Sequence, residues 1–164
     1  MRATTLVATT VAVAVTATIG GAVTAPAVQS RWYARLHKPP YQPPRQVFPV
    51  VWPVLYVDLA AVSAATIDEL HRRGARGAAR RYRLALAVNL VLNAGWSWLF
   101  FGRRRLRGAA VTAAALTLSS ADLTRRAAVV DARRGALLAA YPSWCAFATA
   151  LSTHLWVTNR GRVL

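Results

Sequence analysis

Acidic side chains are scarce in this chain: five Asp and Glu stand against 21 Lys and Arg, a formal net charge of +16 over 164 residues. Cysteine is scarcer still. The single Cys145 excludes an intrachain disulfide and a multi-thiolate metal site. No His/Cys cluster with metal spacing, no close pair of carboxylates, no glycine-rich phosphate loop and no serine with an evident base is present, so the ordinary signatures of hydrolytic and phosphoryl-transfer enzymes are missing. What the chain has in quantity is apolar residues, 55% of the total, gathered in long blocks.

The blocks free of charge cover residues 3–30, 46–57 with 59–67, 84–102, 108–121 and 135–159. A membrane-spanning helix takes roughly 20 mostly apolar residues. The first, third and fifth blocks meet that requirement outright, and the second does so if Asp58 is accepted inside the membrane. The fourth is the shortest and reaches Asp122; it spans if Arg107 and Arg125 extend their side chains to the headgroups. The expected architecture is an all-α membrane protein, a five-transmembrane-helix bundle in a single domain over residues 1–164. Its helices are expected at about 4–28, 47–68, 82–102, 107–125 and 135–159, with a loop at about 30–47.

A strongly basic chain raises the question of nucleic acid, and the positions of the charges answer it. Arginines cluster between the apolar blocks, as in Arg103, Arg104, Arg105 and Arg107, which suits anionic lipid headgroups and gives no nucleic-acid face. The two sides of the membrane receive almost equal numbers of basic residues, so the positive-inside rule assigns no orientation. The first block admits two readings. Arg2, the apolar run from Leu6 to Ile19 and Val23-Thr24-Ala25 also describe a cleavable signal peptide. The apolar stretch, however, continues to Val28, and Gly20, Gly21, Thr24 and Ala25 form a small-residue face suited to helix packing.

Between the first two blocks, Pro39, Pro40, Pro43 and Pro44 prevent a continuous helix. A proline-stiffened loop of that length is either a lid or a rigid spacer. On the third block Asn89, Asn93, Trp96 and Phe100 share one helical face, and on the fifth Trp144, Phe147, Ala148, Leu151 and His154 keep a similar rhythm. Interfacial belts account for Trp32, Tyr33 and Trp156. They do not account for two carboxamides on one face, which must bond another helix or line a polar spot in a cavity. Asp58 falls near the middle of the second span, where a carboxylate is costly. A structural hydrogen bond is the expected role, since a proton relay has only Asp122 and His154 to draw on. His154 reads as a helix contact rather than a haem ligand.

Three groups of residues together resemble the TspO, or translocator protein, family of tryptophan-rich sensory proteins. Trp32-Tyr33, Leu36, Lys38-Pro39, Pro43-Pro44, Phe48-Pro49, Trp52 and Leu55-Tyr56 resemble its first loop and second helix. Asn93, Trp96-Ser97 and Phe100-Phe101-Gly102 resemble its third helix, and Tyr141-Pro142, Trp144, Phe147-Ala148, Leu151, Trp156 and Asn159 its fifth. The resemblance implies a five-helix bundle, usually a homodimer, in a membrane such as the bacterial cell membrane, with membrane lipid around it and a pocket closed by the first loop. It implies a porphyrin, protoporphyrin or haem, or a similar flat hydrophobic molecule as ligand, with no required cofactor. The pocket residues it implies are Tyr33, Pro44, Trp52, Tyr56, Asn89, Asn93, Phe100, Trp144, Phe147 and Ala148. The chain departs from the family pattern at Tyr41, where tryptophan is common, at Ser152-Thr153, where Asn-Tyr is common, and at Val157, where arginine is common. The last two departures remove the tyrosine and arginine of the sterol-recognition pattern described for animal members. The implied function is a tetrapyrrole-binding sensor or regulator. The alternatives are a transporter, for which no inverted repeat is visible, and a light-dependent porphyrin-degrading enzyme with Trp52 and Trp144 as redox-active residues.

Overall fold

Inside hydrocarbon a backbone N–H or C=O has no water to bond, so long apolar segments fold as helices that satisfy their own backbone. The computed structural model, which describes residues 2–161, follows that rule. Its elements are α1 (Ala3–Ala27), α2 (Arg31–Arg35), α3 (Phe48–Arg72), α4 (Arg76–Ser97) continuing into a π-helical turn (Trp98–Gly102), α5 (Leu106–Val130), α6 (Ala132–Leu138) and α7 (Ala140–Asn159). The five long helices form one all-α bundle. α1 lies along α3 and α4, α4 along α5, and α5 along α7, whereas α3 and α7 barely meet. Leu59, Leu116, Leu123, Leu138 and Tyr141 are fully enclosed where α3, α5, α6 and α7 converge. Outward, Val7, Val11, Val15 and Ile19 of α1 and Leu84, Val88 and Val91 of α4 are exposed at helical spacing, the apolar surface a bilayer covers.

Length and apolar composition alone qualify α1, α3 and α4 with its π turn as membrane spans. α3 therefore qualifies despite Asp58. The last span, expected to pass outright, does not do so on composition, because Ser143, Ser152, His154 and Asn159 dilute α7. Ser152, His154 and Asn159 are engaged by other parts of the protein, as described below.

Several helix ends lie beyond the positions expected from charge. α3 runs past Asp68 to Arg72, its last turn carrying ion pairs from Glu69 to Arg72 and Arg73, and it ends where Gly74 takes φ +70°. α4 begins at Arg76, so the expected polar connection over 68–81 reduces to residues 73–75. Arginine is a good helix former, and solvated charge does not stop a helix. α5 likewise continues to Val130, since Asp122 accepts from Arg125 (2.8 Å) and Arg126 (2.5 Å) at i+3 and i+4. The last block is two helices rather than one. Asp131 caps α6 by accepting from the Arg133 backbone N–H (2.9 Å), and the chain breaks at Ala139, three residues before Pro142, whose ring cannot be accommodated by a continuous helix through Leu138.

Two glycines allow backbones to approach. A methyl at Gly20 of α1 would lie 3.3 Å from Ser97 Oγ on α4, a rotatable group. At Gly135 of α6 it would lie 2.4 Å from Ala128 Cβ and 2.9 Å from Ala128 Cα on α5, which cannot rotate away. Gly135→Ala is accordingly expected to lower stability by about 1–3 kcal/mol, and Gly20→Ala by clearly less. Thermal unfolding in a mild detergent measures both; equal midpoints for the two variants would contradict the packing described.

Candidate functional site

Because α3 and α7 stand apart, a cavity of about 1200 Å³ opens between them, walled by α1 and by α4 with its π turn and roofed by the loop after α1. Tyr33 and Gln42 reach it from the loop, Phe48, Trp52 and Tyr56 from the start of α3, Trp96, Phe100 and Phe101 from α4 and its π turn, and Trp144, Phe147, Ala148 and Leu151 from α7. Trp52 lies against Tyr56 (centroids 5.5 Å, planes 31° apart) and against Trp96 (5.9 Å, 34°). Trp144 lies against Phe147 (5.4 Å, 35°) and meets the edge of Phe48 (6.0 Å, 61°). The walls are thus broad aromatic surfaces, suited to a flat apolar ligand.

The π turn explains how two successive residues both face the cavity. Its signature is the bond from Arg103 N to Trp98 O (2.8 Å), one residue wider than in an α-helix. The added residue turns Phe100 and Phe101 to the same side, with their rings 4.7 Å apart. The α1 wall uses the small-residue face: Gly20, Gly21, Thr24 and Ala25 all border the cavity, while Gly20 also backs onto Ser97.

Of the ten site residues expected from the sequence, the structure brings Tyr33, Trp52, Tyr56, Phe100, Trp144, Phe147 and Ala148 into this wall. Pro44 is exposed on the outside of the loop and is not part of it. Asn89 and Asn93 lie behind the wall, 0% and 1% exposed, and their amides are spent on protein partners. Tyr56 donates its hydroxyl to Asn93 Oδ1 (2.8 Å), Asn93 Nδ2 donates to the Tyr141 hydroxyl (3.1 Å), and Tyr141 donates to Asn89 Oδ1 (2.8 Å). Asn89 Nδ2 donates to Ser120 Oγ (3.1 Å) and Ser119 Oγ (3.2 Å) on α5. Of the two roles open to the carboxamides, they take the interhelical one. Trp96 lies on the same face as Asn93 and Phe100, a periodicity sufficient to include it; the contributions of α1 and Gln42 had no comparable signal.

Ser152, one of the departures from the family pattern, accepts from Trp96 Nε1 (3.1 Å) and so satisfies the indole across α4 and α7. Trp144 Nε1 and Gln42 Oε1 are different. Both atoms are buried, neither has a hydrogen-bond partner among the described residues, and both belong to residues lining the cavity. The wall therefore leaves one donor and one acceptor unpaired beneath its aromatic surface.

The loop is held over the cavity from α7. Asn159 accepts from the His37 N–H (2.9 Å) and donates back to the His37 carbonyl (3.1 Å), so a single side chain holds both backbone polar groups of that residue. Tyr41, another departure, shares a 3.3 Å hydrogen bond with His154 Nδ1 and meets the Phe147 ring edge-on. His154 is thus a loop contact. Burial pushes the Tyr33 phenol above its ordinary range, a shift partly offset by the hydrogen bond that Gln42 donates to it (3.3 Å). Burial lowers the Lys38 ammonium, which donates to the carbonyls of Tyr33 and Leu36 and sits 4.6 Å from the centre of the Tyr33 ring. Asp58 differs from expectation: no hydrogen bond reaches it among the described residues, and its Oδ2 is buried without a partner. It is half-buried on α3, next to Val57, which borders the cavity. No group of three or more His, Cys, Asp or Glu is arranged for a metal among the described residues.

Comparison with known proteins bears on what this arrangement is. The profile of the TspO/MBR family matches residues 7–157, from within α1 almost to the end of α7. The chain belongs to the TspO/MBR family. It is 37% identical to a translocator protein of Ovis aries over 134 residues, covering 80% of this chain and 77% of that one. It is 32% identical to protein CrtK of Rhodobacter capsulatus over 136 residues (79% of each chain) and 31% identical to a tryptophan-rich sensory protein of Cereibacter sphaeroides over 133 residues (80% and 78%). As a TspO/MBR protein it is a multi-pass integral membrane protein, which accounts for α5 and α7 as spans despite their polar content. In this TspO/MBR chain the carboxamide network is what fixes the wall. Tyr141→Phe leaves Asn93 Nδ2 and Asn89 Oδ1 unpaired in the interior and is expected to cost about 1–3 kcal/mol. Thermal unfolding of the detergent-solubilised protein tests this, and an unchanged midpoint would contradict the role assigned to the network.

Proposed function

We propose that the cavity binds a tetrapyrrole or a similarly flat hydrophobic molecule, and that its occupancy is the signal this membrane protein reports. The observation that carries the proposal is the cavity itself: about 1200 Å³ of space with aromatic walls. Pockets for drug-sized ligands run to roughly 300–1,000 Å³, so this one accommodates a larger, plate-like molecule. The names of its relatives speak of both translocation and sensing. Sensing is favoured by the helices themselves, since α1, α3 and α7 pass the cavity without a break, whereas secondary transporters commonly build their sites from discontinuous helices. The site is complete within one chain, so binding does not require the homodimer that the resemblance implies.

Titrating the detergent-purified protein with protoporphyrin while following tryptophan fluorescence tests the proposal. Saturable quenching is expected, with affinity reduced roughly 2- to 10-fold in Trp52→Phe and in Trp144→Phe, each of which loses stacking area. Quenching that stays linear in porphyrin, or saturates with wild-type affinity in both variants, would place the ligand elsewhere.

A further inference from the structure

A second cavity, of about 640 Å³, lies at the end of the bundle where the π turn gives way to α5 and α7 ends. Four arginines border it, Arg104, Arg105, Arg107 and Arg160, together with Trp32 and Trp156, and among the described residues no carboxylate does. None of the four is in an ion pair among the described residues. The guanidinium of Arg104 stands 5.4 Å from the Trp32 ring centre and that of Arg107 6.0 Å from the Trp156 ring centre. Arg104 is held there at φ 54°, the left-handed region that a side chain disfavours.

The backbone contributes as well. α5 begins at Leu106, in the wall of this cavity, with no side-chain cap on its first turn and no acidic residue in it, so its free N–H groups and the positive end of its dipole add to the same field. Converging like charges repel, and an anion between them relieves that repulsion. Arginine forks match the oxygens of a phosphate. Trp156, half-buried near the end of α7, marks the headgroup level of a bilayer, and with Trp32 and Leu106 it gives the cavity apolar walls that a bare inorganic anion would not use.

We propose that this cavity is a binding site for the phosphodiester headgroup of an anionic phospholipid, held by Arg104 and Arg107 and by the first turn of α5, separate from the aromatic cavity. Basic pockets between membrane helices have the chemistry for this role. The site selects by charge and by the lipid's glycerol and acyl portion, which distinguishes it from a site for soluble phosphate.

The test is thermal unfolding of the full chain in a neutral detergent, titrated separately with dioctanoyl phosphatidylglycerol, dioctanoyl phosphatidylcholine and glycerol 3-phosphate. Phosphatidylglycerol is expected to raise the midpoint saturably, with phosphatidylcholine and glycerol 3-phosphate far weaker. In the double variant Arg104→Gln, Arg107→Gln the half-saturating concentration should rise about tenfold or more, while Arg80→Gln, Arg81→Gln, at the other end of α4, should leave it unchanged. A wild-type measurement covers the case of a variant that fails to fold: hydrogen exchange at Leu106, Arg107 and Gly108 should slow in phosphatidylglycerol nanodiscs relative to phosphatidylcholine ones. Equal responses to the two lipids, or an equal loss from the Arg80 and Arg81 changes, would overturn the site. Glycerol 3-phosphate acting at the same concentration as phosphatidylglycerol would overturn the lipid in favour of a soluble anion.

Discussion

Two asparagines and two tyrosines, bonded to one another where no water reaches, hold the rest of the structure in register. Asn89 and Asn93 on α4 share the Tyr141 hydroxyl of α7, Asn93 also receives Tyr56 of α3, and Asn89 reaches the serines of α5. A carboxamide in hydrocarbon without partners is costly, so each of these bonds constrains where its helix lies. Together they join four helices at one depth. Above that level α3 and α7 diverge, and the aromatic cavity occupies the gap.

Closure of the cavity depends on a second, smaller set of bonds. The loop after α1 has four prolines within 39–44 and little secondary structure beyond the single turn of α2, so its path is set by what it is fastened to. Asn159 holds the His37 backbone, and Tyr41 meets His154 and Phe147. Trp32, buried beside Phe100 and under Arg104, links the loop to the π turn and to the arginine-lined end of the bundle. The two cavities therefore share a structural boundary while differing in chemistry, one aromatic and nearly uncharged, the other cationic.

How much of this was legible beforehand depended on the kind of signal. The number of long helices followed from apolar blocks, because hydrocarbon leaves the backbone few alternatives. The faces of α4 and α7 followed from 3.6-residue periodicity, which is why Phe100, Trp144 and Phe147 could be picked out, whereas Trp52 on α3 came from the family resemblance alone. Periodicity does not distinguish the front of a wall from its back, so it left the role of Asn89 and Asn93 open; the resemblance implied the pocket, and they lie behind its wall. Charge misled at the helix ends: Asp68, Arg81 and Arg125 lie inside helices, since local ion pairs and arginine's helix propensity compensate for them. The π turn had no sequence signal, and neither did the break at Ala139 until Pro142 is considered against Leu138. The α1 wall was invisible for a simpler reason: its residues are small, and what they contribute is room.

The most direct test of the central claim, that the gap between α3 and α7 is the ligand site, is an experimental structure of the chain in lipid with protoporphyrin bound. The account predicts density for the macrocycle between Trp52 and Trp144, in contact with Phe147 and beneath Tyr33, with Asn89 and Asn93 still bonded to Tyr141 behind it. A macrocycle bound on the lipid-facing surface of α1 or α4, with the cavity empty or collapsed, would contradict it.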